Sequence, residues 1–230
     1  MVLTPPVIAI DGPSASGKGA ISRKVAAALG FHLLDSGALY RIVGLVASRK
    51  GVDLDNGPLV AQLVDGVLIE FVGGENSEGI IRVNGEDMTR DIRLESTGEL
   101  ASQVAARPEV RHALVRLQRG FRKWPGLLAD GRDMGSVIFP DAQVKVYLTA
   151  SPEERARRRY KQLKEKGISV NLAALSAEIA ERDYRDRTRS VSPLRPAVDA
   201  VELDTTDLNI EQVVDQVLAM AEEKLPGLPT

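Results

Sequence analysis

The sequence predicts an α/β fold, a doubly wound parallel β-sheet with helices on both faces. Short apolar runs rich in β-branched residues alternate with amphipathic helical stretches, an order typical of parallel sheets. The first run, residues 7–10 (VIAI), leads into a glycine-rich loop and then a helix. Ligands of such sheets lie at the carboxyl ends of the strands, where Asp11, Asp35 and Asp130 fall. The length of 230 residues fits one domain with insertions.

The loop after the first strand reads Gly-x-x-x-x-Gly-Lys from Gly12 to Lys18. Backbone N–H groups of a loop with this spacing wrap an anionic phosphate, and its lysine reaches the terminal phosphates. The helix over residues 18–29 has one apolar face and ends at Gly30. A chance Gly/Ser turn that ends in lysine is the alternative, but the flanking strand and helix favour phosphate binding. The predicted loop comprises Gly12, Pro13, Ser14, Ala15, Ser16, Gly17, Lys18, Gly19 and Ala20.

The residues after the loop lysine depart from the usual pattern of a magnesium-assisted site. That pattern has Ser or Thr after the lysine, with its hydroxyl on Mg²⁺, whereas Gly19 and Ala20 follow here. Because neither carries a hydroxyl, a metal ion has to be held by water, by phosphate oxygens, or by Ser14 or Ser16. No protein ligand for a metal is therefore assigned from the sequence.

The remaining elements are predicted from apolar periodicity and capping residues. A second strand covers residues 31–35, and Asp35 or Ser36 caps the next helix. Residues 67–90 contain two loosely alternating runs and an Asn84-Gly85 turn, which predict a small antiparallel insertion. Further helices are predicted over residues 91–107, from 108, from 152 and after 209, and further strands over residues 127–130, 143–148 and 200–203.

The composition argues against several classes of site. A net charge of −2 provides no overall field for nucleic acid or a membrane surface. Without cysteine there is no disulfide, thiol nucleophile or zinc-thiolate site, and two histidines argue against a histidine metal centre. No apolar run reaches the roughly 18 residues of a membrane span, and the N-terminus lacks a signal-peptide pattern. A cytoplasmic protein without nucleic-acid or membrane partners is expected.

Charged residues are concentrated in three segments. Residues 152–167 hold seven basic and three acidic side chains, and residues 130–135 (DGRDMG) place two acids and an arginine at a strand end. Arg182, Asp186 and Arg189 are spaced i, i+4 and i+7, on one face of a helix. Such a face presents two guanidinium groups to phosphate and a carboxylate to sugar hydroxyls. A solvated charged face is the alternative, but the phosphate loop favours phosphoryl transfer, which needs cations over the transferred group.

Together these stretches resemble the bacterial cytidylate kinases of the nucleoside monophosphate kinase family. The resemblance is carried by GPSASGKGA, LLDSGALYR, ASQVAARPEVR, ADGRDMG, SPEERARRR and ERDYRDRTR, which span residues 12–189. It implies a P-loop NTPase fold with five parallel strands, a helical lid and an enlarged monophosphate-binding region. In a single domain, it implies a core (residues 1–35, 127–150 and 190–230), a monophosphate-binding region (36–126, with the insertion at 67–90) and a lid (151–189).

The implied reaction transfers the γ-phosphoryl group of ATP to CMP or dCMP with Mg²⁺, in pyrimidine metabolism, and a monomer is expected. By motif, the resemblance assigns the CMP phosphate to Ser36, Arg41, Arg132 and Arg189, cytosine to Ser102, Arg111 and Asp133, and the sugar to Arg182 and Asp186. The implied lid arginines are Arg155, Arg158 and Arg159, and the implied catalytic residues are Lys18, Arg132, Arg158, Arg159 and Arg189. Family members usually carry Thr where this chain has Ala20, so metal coordination departs from their pattern.

Two other functions are open to a chain with this loop. One is another small-molecule kinase, acting on a different nucleoside monophosphate or on shikimate. The other is a nucleotide-dependent switch that hydrolyses GTP while it signals to a partner. A switch would need a guanine-reading Asn-Lys-x-Asp stretch, which the sequence lacks, and would have no use for three arginine clusters around a second ligand.

Overall fold

The computed structural model describes residues 4–72, 80–165 and 167–225. The strands are β1 (Val7–Asp11), β2 (His32–Asp35), β3 (Ile69–Val72), β4 (Ile80–Val83), β5 (Glu86–Asp87), β6 (Leu127–Gly131), β7 (Val144–Thr149) and β8 (Val201–Asp204). The helices are α1 (Lys18–Leu29), α2 (Ser36–Arg49), α3 (Gly57–Asp65), α4 (Thr89–Ile92), α5 (Glu95–Val104), α6 (Pro108–Arg119), α7 (Pro152–Glu165), α8 (Leu172–Thr188) and α9 (Ile210–Lys224), with a π-helical turn at Met134–Ile138.

The described chain forms two compact units. The first unit contains the residues up to Leu34 and those from Phe121 onward, and the second contains Asp35–Gly120. No helix of the described ranges combines the length and the low charge that a membrane-crossing segment requires.

The first unit is built on a five-stranded sheet in the order β2-β6-β1-β7-β8. β1 lies in the middle and pairs in parallel with β6 and with β7, and β7 pairs in parallel with β8. Every residue of β1 and β6 is buried, as expected for strands covered on both faces. The fold is the predicted P-loop α/β fold, and the carboxyl ends of β1 and β6 lead directly into the predicted phosphate loop and the DGRDMG segment.

Helices α1 and α9 pack on this sheet through one apolar core. The core joins Ile21 and Val25 of α1 to Val213 and Val217 of α9, over the strand residues Ile8, Ile10, Leu128, Val146 and Leu148. A positive-φ Gly30 ends α1, and a reciprocal Asn209–Gln212 capping box begins α9. These local signals confirm the predicted bounds of α1 and the predicted start of α9.

Helices α7 and α8 form a separate apolar pair within the first unit. Leu163 of α7 packs with Leu175 and Ile179 of α8, and Ala15 of the glycine-rich loop packs against the same cluster. The pair therefore contacts the loop directly, so a change in the position of these helices would be felt at the loop backbone.

The second unit combines helices with the three-stranded antiparallel sheet β3-β4-β5. Its core joins Ile42 and Val46 of α2 to Ile81 and Val83 of β4 and to Ile92 of α4. The Asn84-Gly85 turn lies between β4 and β5 with positive φ at both residues, as a two-residue hairpin requires. The predicted antiparallel insertion is thus confirmed for the described residues, and its Gly73-Gly74 break lies outside them.

Two features of the second unit differ from the sequence-based prediction. The helix expected over residues 91–107 is two helices, α4 and α5, separated at Arg93 and Leu94. The Arg41 side chain stabilises this break, because its Nη1 donates to the Ile92 and Leu94 carbonyls at 3.0 and 2.8 Å. Helix α3 was not predicted, although Asn56 caps it and a proline occupies its first turn.

Candidate functional site

The glycine-rich loop follows β1, and its conformation depends on its two motif glycines. Gly12 has φ +149°, and a Cβ there would overlap the Leu148 carbonyl oxygen of β7. Gly17 has φ +90° and immediately precedes α1, so it supplies a left-handed turn that directs the chain into the helix. The loop therefore ends at the N-terminus of a 12-residue helix, where free N–H groups and the helix dipole favour an anion.

Lys18, the first residue of α1, lies folded into this loop. Its Nζ donates to the Pro13 carbonyl at 2.7 Å and to Ser16 Oγ at 3.4 Å, and the side chain is buried. Burial and the nearby Arg132 cation together lower the pKa of Lys18 to about 7, while Asp130 and Asp11 oppose the shift. A bound phosphate would add negative charge beside Lys18 and so favour its charged form.

The loop hydroxyls differ in what they contact. Ser16 Oγ donates to the Pro13 carbonyl at 3.1 Å, whereas the buried Ser14 Oγ has no hydrogen-bond partner among the residues that the structure describes. A Cβ added to Gly19 would lie 3.7 Å from Asp130 Oδ2, so this carboxylate lies beside the first turn of α1.

These oxygens fit a magnesium ion, which prefers oxygen ligands and keeps several waters. The Ser14 hydroxyl and the Asp130 carboxylate are the groups that would hold it. Residues 4–72, 80–165 and 167–225 contain no cluster of three or more acidic or histidine side chains that could coordinate a metal ion.

Asp11, the last residue of β1, holds the start of the π-helical turn that follows β6. Its two carboxylate oxygens accept from the backbone N–H groups of Met134 and Gly135, each at 2.8 Å. Burial raises the pKa of Asp11 to about 6, although both N–H groups lower it. This carboxylate therefore links the phosphate-loop strand to the segment that carries Arg132 and the buried Asp133. The sequence placed Asp11 at a ligand edge of the sheet but could not reveal a partner 123 positions away.

Arg132, Asp186 and Arg189 come together in the first unit. Arg132 Nε lies 3.0 Å from Asp186 Oδ2, and Arg189 Nη1 lies 3.8 Å from Asp186 Oδ1. Burial would raise the pKa of Asp186, but the guanidiniums of Arg132, Arg182 and Arg189 together hold it below its usual range. The carboxylate therefore stays ionised between cations, an arrangement suited to hydroxyl groups beside a phosphate.

The expected helical face over Arg182, Asp186 and Arg189 is only partly formed by helix. Helix α8 ends at Thr188, and Arg189 has extended backbone with its Nε donating to the Ser192 carbonyl at 2.6 Å. Arg189 still contacts Asp186, because the last turn of the helix and the residue after it lie on the same side.

The arginines of α7 make different contacts. Arg155 is buried, and its nitrogens contact the Ala150 carbonyl at 3.1 Å, the Ser14 carbonyl at 3.2 Å and Asp183 at 2.6 Å. It thereby joins α7 and α8 to the phosphate loop, a structural role that the sequence did not indicate.

Arg158 and Arg159 are less buried than Arg155. Arg158 contacts Glu154 at 3.1 Å, Thr205 Oγ1 at 3.0 Å and the Thr205 carbonyl. Arg159 donates to Gln162 on its own helix. Arg158 is thus held beside the residues that follow β8 in this structure.

The second unit holds the other implied phosphate ligands, Ser36 and Arg41. Ser36 is the first residue of α2, and its buried Oγ donates to Gln118 Oε1 at 2.8 Å. Gly98 lies against Arg41, since a Cβ there would be 2.8 Å from a guanidinium nitrogen. The close approach explains a glycine inside α5, where it otherwise weakens a helix. Gln118 was not identified from the sequence, because it lies among the residues of a buried helical face.

The implied base-reading residues of the second unit are Ser102 and Arg111, and both are buried. Arg111 donates to the Ala105 carbonyl at 3.2 Å, and its guanidinium lies 5.5 Å from the centre of the Tyr40 ring. Ser102 Oγ has no hydrogen-bond partner within the described part of the chain. A buried hydroxyl in this state is an available donor and acceptor for a ligand.

Comparison with known proteins identifies the family. A family model described as cytidylate kinase matches residues 8–223. The chain belongs to the cytidylate kinase family. It is 52% identical over 229 residues to the cytidylate kinase of Stutzerimonas stutzeri (strain A1501), which covers 99% of this chain and 100% of that one. It is 55% identical over 212 residues to the one from Cupriavidus necator, with 92% and 93% covered. As a cytidylate kinase family member, the chain is a phosphotransferase, in agreement with its phosphate loop and clustered arginines.

Proposed function

We propose that the chain transfers the γ-phosphoryl group of ATP to CMP or dCMP, giving ADP and CDP or dCDP. The observation that carries this proposal is the glycine-rich loop that ends at the N-terminus of α1, with the buried Lys18 Nζ folded against the Pro13 carbonyl at 2.7 Å. Burial and the Arg132 cation lower the pKa of Lys18 to about 7, so its charged form requires a nearby anion to favour it. A phosphoryl group in transfer carries its charge on three equatorial oxygens and satisfies such a requirement.

In this proposal the first unit binds the ATP phosphates. The loop from Gly12 to Ala20 presents backbone N–H groups to them, and Lys18 moves from the Pro13 carbonyl to the β- and γ-phosphate oxygens. Because charge develops on the transferred group as the bond breaks, Lys18 stabilises the transition state more than bound ATP. Arg158 and Arg159 of the α7–α8 lid supply further donors.

The residues proposed to contact the acceptor phosphate are Arg132, Arg189, Ser36 and Arg41. The Asp186 carboxylate, kept ionised by its arginine neighbours, accepts from sugar hydroxyls, and Arg182 donates at the same place. Guanidinium groups suit this task because two N–H groups of one fork can meet two phosphate oxygens.

Cytosine is proposed to be read by Asp133, Arg111 and Ser102. A carboxylate accepts from the 4-amino group, as acidic residues do with cytosine in nucleic acids, and Arg111 donates to N3 and O2. Ser102 Oγ, which has no partner in the described chain, adds one further hydrogen bond. Uracil would place a carbonyl against Asp133 and an N–H against Arg111, which leaves buried polar groups unpaired.

Magnesium is proposed as the metal of the reaction. When bound, it neutralises charge on the phosphate oxygens during transfer. Ser14 and Asp130 are the groups of this chain that would hold it, since position 20 lacks the hydroxyl usual in the family.

A panel of acceptors tests the proposal. ADP formation from ATP is measured with CMP, dCMP, UMP, AMP and GMP in turn, with shikimate as an unrelated acceptor. Phosphorylation of CMP and dCMP about 100-fold faster than UMP is expected, which corresponds to about 2.7 kcal/mol and lies within the roughly 2–6 kcal/mol that two mispaired polar groups cost together. A chain that prefers another acceptor is a different small-molecule kinase, and nucleotide hydrolysis that ignores all acceptors would indicate a switch.

A further inference from the structure

The buried amide of Gln118 is only half satisfied. This residue lies near the end of α6 and is 0% exposed. Its Oε1 accepts from Ser36 Oγ at 2.8 Å, while its Nε2 has no hydrogen-bond partner among the described residues. A buried amide nitrogen without a partner has lost its hydrogen bonds to water and has gained none from the protein. Such groups are costly and therefore rare in native proteins.

The hydroxyl of Ser36 is oriented unfavourably for phosphate in this arrangement. A serine hydroxyl has one proton to donate, and here that proton points to Gln118 Oε1. With its proton used in this way, the Ser36 oxygen can only accept hydrogen bonds. A phosphate oxygen also only accepts, so the two oxygens would repel each other. Yet Ser36 is the first residue of the 14-residue helix α2, a position where N–H groups and the helix dipole favour an anion.

A half-turn of the Gln118 amide gives Nε2 a partner and frees the Ser36 proton, and it leaves the amide oxygen, in place of the N–H group, without a partner among the described residues. The amide oxygen and NH₂ group have nearly the same shape and exchange places when the end of the side chain rotates. After the turn, Nε2 donates to Ser36 Oγ and gains the partner that it lacks. The hydroxyl proton of Ser36 is then free to point at an anion, beside a helix end whose Ala38 N–H is already taken by the Asp35 carboxylate at 2.9 Å.

We propose that Gln118 is a positioning residue for the acceptor phosphate, whose amide donates to Ser36 Oγ so that Ser36 donates its own proton to a phosphate oxygen. The inference rests on the proposed function, which assigns the CMP phosphate to Ser36. Gln118 acts through Ser36 and does not touch the phosphate. It adds a specific requirement to the site: residue 118 must be a hydrogen-bond donor to Ser36 when CMP is bound.

Two substitutions of Gln118 separate this role from simple packing. Gln118→Glu keeps the shape and, assayed at a pH high enough to ionise this buried carboxyl group, only accepts, so it retains the Ser36 proton and adds a negative charge near the phosphate. We expect the KM for CMP to rise at least about tenfold, the scale of a lost hydrogen bond to a charged group, with the KM for ATP within about twofold. Gln118→Met keeps the side-chain volume but makes no hydrogen bond to Ser36. The Ser36 hydroxyl can still donate to the phosphate but is no longer oriented, so the KM for CMP should rise only about two- to fivefold. Gln62→Glu, at an exposed position of α3 in the same unit, adds the same charge and should change neither KM.

A double-mutant cycle with Ser36→Ala completes the experiment. If Gln118 acts through Ser36, the effect of Gln118→Met on the KM for CMP should vanish in the Ser36→Ala background. Thermal unfolding of each variant shows whether it is folded, and the Met variant keeps the test informative if the buried Glu prevents folding. An unchanged effect of Gln118→Met in that background, or a Gln118→Glu protein with a normal KM for CMP, would overturn the role of Gln118. A wild-type chain that phosphorylates no CMP would instead overturn the proposed function.

Discussion

Binding of ATP should draw a proton onto Lys18. In the free protein, burial and the nearby Arg132 cation lower the pKa of this residue to about 7. The anionic phosphates of ATP oppose both causes, because they favour the charged ammonium. The pKa of Lys18 should therefore return toward its ordinary value near 10.5 in the complex, and between these two values the complex binds more protons than the free protein.

The size of the uptake follows from the two pKa values. At pH 8, a pKa of about 7 leaves roughly one Lys18 in ten protonated in the free protein, whereas nearly all are protonated in the complex. The expected uptake is about 0.9 proton per ATP at pH 8. The affinity for ATP should therefore fall as pH rises above 7, by roughly tenfold per pH unit, because each complex needs a charged Lys18.

Isothermal titration calorimetry in two buffers of different ionisation enthalpy measures this uptake. The dependence of the observed binding enthalpy on the buffer enthalpy is the number of protons exchanged. Lys18→Met is the matched control, since it keeps an unbranched apolar stem and has no titrating group, and its uptake at pH 8 should be close to zero. An uptake near zero in the wild type, or an equal uptake in Lys18→Met, would show that Lys18 is already charged before ATP binds.

Three further predictions concern the metal and the acceptor. Ala20→Thr should lower the Mg²⁺ concentration for half-maximal rate, and an unchanged requirement would mean that Ser14 and Asp130 already suffice. Replacing any one of three arginines by methionine should weaken transition-state binding, measured from kcat/KM for CMP, by roughly 2–4 kcal/mol; the variants are Arg41→Met, Arg132→Met and Arg189→Met. A decrease in kcat/KM of less than tenfold in all three would show that these side chains are solvated surface charges. Asp133→Ala should reduce activity on CMP more than on UMP, because the carboxylate pairs only with the 4-amino group of cytosine. Equal losses on both acceptors would assign Asp133 to structure or to the chemical step.

The elements that the sequence predicted well are those with local signals. The β1 strand, the glycine-rich loop and α1 follow from apolar runs, glycine spacing and a C-terminal glycine, all within 24 consecutive residues from Val7 to Gly30. The break between α4 and α5 has no comparable signal. It depends on Arg41, which lies 51 and 53 positions from the carbonyls that it contacts, so apolar periodicity alone favoured one continuous helix.

The candidate site shows the same division between local and distant information. The spacing of charged residues within one segment predicted that Asp186 lies between arginines. The Arg132 Nε that lies 3.0 Å from Asp186 Oδ2, however, belongs to the segment after β6, 54 positions away in the sequence. Sequence motifs indicated that both segments carry charge suited to phosphate, without showing which charges meet. The resemblance to a known family therefore carried the assignment of roles, while the pairings had to come from the structure.

The polar contacts that the sequence did not reveal share a physical property: in each, a buried side chain acts on a group in or next to a motif. Asp11 holds the backbone of Met134 and Gly135, next to Asp133, and Gln118 holds the hydroxyl of Ser36. Since hydrogen-bond donors and acceptors must be paired when buried, a motif residue that faces a ligand needs a second group behind it to fix its orientation. Such supporting residues have no characteristic spacing, because the fold can supply them from any element that reaches the same place. A search for functional residues in this chain should therefore begin at the buried polar atoms that contact the motifs, and the half-satisfied amide of Gln118, which we propose to change its hydrogen bonding when a phosphate binds, is such a case.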